Sequence, residues 1–331
     1  MIVRETEIED APESNSNDDD ENPDGNLPIL TPDEPKTPTP TSEVKTKPKE
    51  VLNYTLSGYC YDKLKDIKSI GISKLTYDDI QLVPKYSEIE SRLNISLNTL
   101  VTKRYGLLMP LVASPMDTVC ELNMAYKLFL MGGAGVIHRF MPIDKQVSMV
   151  NELRYKIYGD GFGGLYEDWG IMDDNWHSEI KEVPIIAAVG ANGDYLERAK
   201  ELVSKGANII LIDVAHGHHK NVKDAIQNIK SISDKIDVIA GNIATTEAAI
   251  DLKNWGADGL RVGVGGGSLC TTRIKTGFGV PNVSCISEIF AVSDIPVMAD
   301  GGIRSSGDIA KALALGASSV MVGSLIAGTE E

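Results

Sequence analysis

Eight short apolar runs, recurring from residue 111 almost to residue 331, constrain this chain more than any other feature. They are Leu111–Ser114, Gly135–Ile137, Ile185–Val189, Ile209–Asp213, Val238–Gly241, Gly259–Val262, Val297–Asp300 and Val320–Gly323. Helical patterns separate them, among them Tyr195–Lys205, Val222–Ile232, Thr246–Gly256 and Ser306–Gly316, most ending near a glycine. Short apolar strands alternating with helices are the signature of a parallel α/β fold. Eight such units over roughly 220 residues predict a TIM (β/α)8 barrel, since an open doubly wound sheet would show fewer units and one dominant glycine-rich first turn. A recurring junction supports the barrel: Lys205-Gly206-Ala207, Trp255-Gly256-Ala257 and Leu315-Gly316-Ala317 each precede a strand. In each, glycine stops a helix and alanine allows a close turn into the next strand.

What precedes the barrel has a different texture. Residues 1–50 hold 14 acidic and 5 basic residues and 8 of the 15 prolines, with almost nothing to bury. Such a segment cannot offset the entropy of ordering, so a disordered acidic Pro/Thr-rich tail is expected there, a docking peptide being the alternative, with the catalytic barrel domain over residues 51–331. Most of the net charge of -15 therefore belongs to the tail. The body is only mildly acidic and carries no Lys/Arg stripe, which argues against a nucleic-acid partner. No apolar run approaches the ~20 residues of a membrane span, and no secretory leader is visible, so a cytoplasmic protein is expected. The stretch from Val150 to Val183 shows no clean period and reads as a long connection, functional or mobile. The four cysteines, Cys60, Cys120, Cys270 and Cys285, form neither a disulfide framework nor a zinc-spaced pair, so any special one must be special by reactivity.

In a barrel the active site forms at the C-terminal ends of the strands. The densest segment there follows the sixth strand: Arg261-Val-Gly-Val-Gly-Gly-Gly-Ser-Leu-Cys270-Thr-Thr-Arg273. Its glycines allow close approach of backbone to a ligand, and they deliver Cys270, a candidate nucleophile whose bland alternative is a small buried hydrophobe. After the seventh strand comes Asp300-Gly301-Gly302-Ile303-Arg304, and after the eighth Gly323-Ser324, together like the phosphate site that barrels often carry in this place. A phosphorylated substrate is expected. Asp300, with no basic residue beside it in sequence, is placed to accept hydrogen bonds from sugar hydroxyls, or else caps a turn. His216, His218 and His219 lie after the fourth strand without further ligands at metal spacing, so hydrogen bonding is preferred to a metal site.

Six ordered motifs then point to a family. Leu75-Thr-Tyr-Asp-Asp-Ile-Gln-Leu-Val-Pro84, Ser114-Pro-Met-Asp-Thr-Val119, Gly132-Gly-Ala-Gly-Val-Ile-His138, Gly265-Gly-Gly-Ser-Leu-Cys-Thr-Thr-Arg273, Ala299-Asp-Gly-Gly-Ile303 and Val322-Gly-Ser324 stand in the expected order. From about Leu75 onward the chain resembles the inosine monophosphate dehydrogenase and guanosine monophosphate reductase family. The resemblance implies a homotetramer acting on a purine nucleotide monophosphate with NAD, or NADPH for a reductase. It implies Cys270 as nucleophile on purine C2 and Thr272 as its polar helper. Ser114 and Met116 would lie near the purine, Asp300 would hold the ribose, and Ser268, Gly302, Gly323 and Ser324 would bind phosphate. Asp213, Asn242 and Gly263 would face the nicotinamide, and the carbonyls of Gly265, Gly267 and Cys270 would form a potassium site.

Finer likeness favours the dehydrogenase: Ala215-His216-Gly217-His218 and Ala299-Asp300-Gly301-Gly302-Ile303-Arg304 look more like bacterial dehydrogenases. The short Val150–Val183 connection, in place of the usual CBS-domain pair, looks more like reductases. The chain stops at Glu331, so the family's last outer helix, a Tyr-Arg-Gly-Met-Gly-Ser-like phosphate motif and an arginine-bearing flap have no counterpart in it. The expectation is that a separate C-terminal fragment supplies them, or that the chain binds nucleotide without turnover. An apolar barrel face, and poor solubility, should then be exposed where the helix is missing.

Overall fold

A computed structural model describes residues 74–159 and 183–329. The acidic tail and most of the connection expected before Val183 lie outside the described residues. Eight parallel strands close into a barrel in chain order, the last pairing with the first. They are β3 (Leu111–Ala113), β4 (Ala134–Ile137), β5 (Ile186–Val189), β6 (Ile209–Asp213), β7 (Asp237–Ile243), β8 (Gly259–Val262), β9 (Val297–Asp300) and β10 (Ser319–Val322). The TIM barrel read from the apolar runs is thus the fold, with strand boundaries within a residue or two.

The helices are α1 (Leu122–Leu130), α2 (Ile143–Tyr158), α3 (Tyr195–Ser204), α4 (Lys220–Lys230), α5 (Thr246–Trp255), α6 (Thr272–Thr276), α7 (Asn282–Phe290) and α8 (Ser306–Ala314). The recurring Gly-Ala junctions have a common geometry. Gly206, Gly256 and Gly316 have φ of 107°, 110° and 103°. The alanine after each donates its N–H back to the helix, Ala207 to Leu202, Ala257 to Leu252 and Ala317 to Ala312, at 3.0 to 3.1 Å. These are Schellman stops, which satisfy carbonyls that a helix end leaves open. The expected start of the long connection is corrected, because α2 runs on through Val150 to Tyr158. Its Gln146, Val150, Leu153 and Ile157 recur at helical spacing and are buried.

Alternation along each strand divides the core in two. Side chains such as Ile137, Ile210, Val262 and Val320 pack outward against the helices. Val112, Val136, Leu211, Ile239, Met298 and Met321 fill the lumen with Val101, Tyr105 and Leu107. Those last three belong to an antiparallel hairpin of β1 (Thr99–Leu100) and β2 (Gly106–Leu107), which closes the N-terminal mouth and which the periodicity did not reveal.

Among the described residues no helix follows β10. The apolar face expected to be exposed there is not: the outward-facing Val320 and Val322 are 0% and 1% exposed. The core cluster that holds them also takes in Ile326, from the turn after β10, and Ile309 and Leu313 of α8.

Candidate active site

Strand parity decides which side chains meet at the C-terminal mouth. Counting in twos from luminal Val112, Leu211, Met298 and Met321 leads to Ser114, Asp213, Asp300 and Gly323, so the topmost luminal layer is polar where those below are apolar. A cavity of about 300 Å3 opens over this layer. Its walls include Ser114 and Met116 after β3, Asp213 at the end of β6, Asn242 on β7, the loop from Gly263 to Thr272 after β8, Asp300 to Ile303 after β9, and Gly323 and Ser324 after β10. The structure therefore brings onto one cavity wall every residue to which the resemblance gives a catalytic, substrate, nicotinamide or potassium role, while His216, His218 and His219 do not line it.

Cys270 is half-buried on the loop after β8. Its thiol donates to Thr272 Oγ1 at 3.3 Å, and its N–H bonds the Gly267 carbonyl at 3.2 Å. That loop approaches β9 closely. Gly263 has φ of 141°, and a Cβ on it would stand 2.0 Å from the Asp300 carbonyl oxygen, so only glycine fits. Cys120 and Cys285 are buried in the core, where burial, with Glu288 adding to it, pushes the Cys285 thiol up to about 12.

Asp300 has no basic residue beside it in sequence, but the fold brings one to it. Arg261 Nε donates to Asp300 Oδ2 at 2.9 Å, and Arg261 Nη1 to Asp213 Oδ1 at 2.5 Å. Asn242 Nδ2 reaches the same Asp300 oxygen at 2.6 Å and the Gly263 carbonyl at 2.7 Å. Burial opposes the charge on Arg261, but Asp300 and Asp213 more than offset it, so its pKa lies above the ordinary arginine value. Register explains the bridge: Asp213, Gly241 and Arg261 lie level across β6, β7 and β8. A Cβ on Gly241 would fall 2.6 Å from the Arg261 Cβ, so the missing side chain leaves room for the guanidinium to reach over β7. Arg261 is the site residue that sequence reasoning missed. Its parity with Asp300 across neighbouring strands was the available signal.

The histidine loop serves structure. His218 Nε2 pairs with Asp251 Oδ2 at 2.9 Å and its ring lies against Trp255, while His219 Nδ1 accepts the Asn221 N–H at the start of α4. No helix among the described residues is long and apolar enough to cross a membrane.

Comparison with known proteins agrees with the six motifs. The IMP dehydrogenase / GMP reductase domain matches residues 74–331. The inosine-5'-monophosphate dehydrogenase of Cryptosporidium parvum is 43% identical over 290 residues, covering 80% of this chain and 70% of that protein. That of Borreliella burgdorferi is 39% identical over 285 residues, covering 78% and 70%. The GMP reductase of Leishmania major is 30% identical over 370 residues, covering 78% and 75%.

Proposed function

Because the chain belongs to the IMP dehydrogenase / GMP reductase family, we propose that it is an NAD-dependent dehydrogenase converting IMP, NAD and water to XMP and NADH through a covalent adduct on Cys270. The observation that carries this reading is Cys270, beside Thr272 at 3.3 Å, on the wall of a cavity shared with Ser114, Asp300 and Gly323. Purine C2 is electrophilic. Addition of the Cys270 sulfur to C2 opens the C2–N3 double bond and makes C2 tetrahedral, N3 taking up the proton that the thiol gives up and losing it again when hydride leaves and the double bond re-forms. NAD, when bound, accepts the hydride that leaves C2. Water then adds to the oxidised C2, the C–S bond breaks, and the thiol is restored as XMP departs, so one difficult displacement becomes two easier steps.

The remaining residues bind and orient. Asp300 has one oxygen taken by Arg261 and Asn242, which leaves the other for ribose hydroxyls. Ser268, Gly302, Gly323 and Ser324 present hydroxyls and backbone N–H groups to the phosphate, and Ser114 and Met116 flank the base. A Cβ on Gly323 would stand 3.5 Å from Ser114 Oγ and 3.6 Å from Met116 Sδ, inside space that a flat purine would use. Asp213, Asn242 and Gly263, on the β6–β8 side of the same cavity, are assigned to the nicotinamide, whose amide N–H groups the Asp213 carboxylate can accept. The Gly265, Gly267 and Cys270 carbonyls are the hard oxygens that a potassium ion takes, and the Gly267 carbonyl keeps a second lone pair besides the one used by Cys270 N–H. A homotetramer is part of the proposal, as is the dehydrogenase direction. The GMP reductase likeness makes NADPH-dependent reduction of GMP the alternative.

The test follows nicotinamide absorbance with IMP and NAD at protein concentrations near those of substrate, beside Cys270→Ala. Continuous turnover that the variant loses supports the dehydrogenase. A burst of at most one NADH per site supports the adduct and hydride steps and places the hydrolytic base outside this chain. No signal with IMP and NAD, but oxidation of NADPH with GMP, replaces the reading by the reductase. Nucleotide binding without either signal replaces it by a binding protein.

A further inference from the structure

The loop after β9 has few side chains with which to pack. Gly301 and Gly302 have φ of 90° and 77°, and neither has a side chain to pack. Asn282 steadies it from one side, its Nδ2 donating to the Gly301 carbonyl at 2.5 Å. From the other side it rests on a segment more than two hundred residues away in sequence, the strap from Lys74 to Ile80. Tyr77 is the strap's inserted residue, 3% exposed. A Cβ on Gly302 would lie 3.4 Å from Tyr77 Cδ2, so the ring borders the space that the missing side chain leaves beside the loop.

The strap is tied to both helices that frame the loop. Leu75 N–H donates to Ser284 Oγ of α7 at 2.8 Å, and Lys74 pairs with Glu288 of α7 at 2.8 Å. Lys311 of α8 donates to the Tyr77 carbonyl at 2.9 Å, and Asp78 pairs with Arg304, the last residue of the loop. Arg304 N–H in turn donates to Asp308 Oδ2 at 3.0 Å. The Tyr77 hydroxyl is buried without a hydrogen-bond partner among the described residues. Burial first, then Asp308, Cys285 and Asp300, hold that phenol neutral. The ring is therefore a neutral wedge, and its position matters more than its charge.

We propose that the Lys74–Ile80 strap, with Tyr77 as its wedge, is the positioning element that keeps the Gly301–Arg304 loop in the shape that presents its backbone N–H groups to the phosphate of the bound nucleotide. This rests on the reading of the cavity as a nucleotide site. Tyr77 does not line the cavity; it acts through Gly302. Its effect is accordingly confined to the phosphate end of the substrate.

The test is equilibrium binding of IMP and of inosine, which lacks the phosphate, to the full chain and to Tyr77→Ala, Tyr77→Phe and Asp78→Asn. Tyr77→Ala is expected to weaken IMP about tenfold or more while changing inosine less than about twofold, and to raise the KM for IMP without a matching loss in kcat. Tyr77→Phe keeps the ring and should retain most of the IMP affinity. Asp78→Asn, at an exposed position that cannot disturb the core, should weaken IMP about two- to threefold and serves as the arbiter should Tyr77→Ala not fold. Equal losses for IMP and inosine, or unchanged IMP binding in both Tyr77→Ala and Asp78→Asn, would overturn the strap's role. Failure of the unmodified chain to bind either IMP or GMP would instead overturn the nucleotide site, and inorganic phosphate would then be the probe for the loop.

Discussion

The two mouths of the barrel are closed by different materials. At the N-terminal mouth, side chains do the work: Val101, Tyr105 and Leu107 of the β1–β2 hairpin fill the lumen. Asp237, fully buried at the start of β7, ties the hairpin down by accepting from Thr102 Oγ1 at 2.6 Å and from Arg104 Nε and Nη2 at 2.8 and 2.6 Å. At the C-terminal mouth, glycine loops leave a cavity walled largely by backbone, with polar side chains fixed by one another. A barrel needs one end sealed to keep its lumen dry and the other open for substrate. The buried carboxylate at the sealed end is matched to a donor set that never changes, whereas Asp300 at the open end keeps an oxygen in reserve.

This contrast can be broken or sharpened by experiment. The largest effect is expected at the open end, where Cys270→Ala should abolish hydride transfer while leaving nucleotide binding and the urea midpoint near those of the unmodified chain. Residual turnover in that variant would mean that the sulfur is not the nucleophile. Next, Gly263→Ala forces a Cβ against the Asp300 carbonyl and should lower kcat/KM about 100-fold by misplacing the loop, read by steady-state kinetics. At the sealed end, Asp237→Ala strips the hairpin of its anchor and leaves Arg104 and Thr102 unmatched. It should cost about 3 kcal/mol in urea unfolding with kcat of the folded protein unchanged, and a fall in kcat would show that the two ends are not independent.

The smallest effect at neutral pH concerns Cys285, in the layer between barrel and helices. Its thiol titrates near 9.0 when exposed and is pushed to about 12 by burial, so between those values the folded protein keeps a proton that the unfolded chain has lost. Stability should therefore be intact below pH 9 and fall as pH rises towards 12, with a slope from this group of at most about 1.4 kcal/mol per pH unit. Cys285→Ala should flatten that alkaline limb in urea melts at several pH values, and an unchanged limb would assign it to other groups.

How far the sequence could be read depends on the range of the physics involved. Strands and helix stops were legible because they are local: an apolar run, or Gly206-Ala207 closing a Schellman turn on Leu202, needs no distant partner. Position at the ends of the expected strands placed Asp213, Asp300 and Gly323 on one rim once a barrel was assumed, and the family resemblance added Ser114. The extension of α2 to Tyr158 was missed because Lys, Tyr and Glu on its exposed face obscured the buried stripe. The β1–β2 hairpin was missed because two-residue strands are too short to show a period.

By itself, the order of residues determined the barrel, the direction of its chain and the rim on which chemistry could gather, since each follows from neighbours a few positions apart. Only the tertiary structure decided that Arg261 spans from Asp300 to Asp213, and that Tyr77 lies beneath Gly302. Arg261 is 39 and 48 residues from its two carboxylates, and Tyr77 is 234 from the Lys311 that tethers it. Contacts of that separation exist only after the sheet has closed, when burial makes an unpaired charge costly and leaves the guanidinium one arrangement that satisfies both carboxylates.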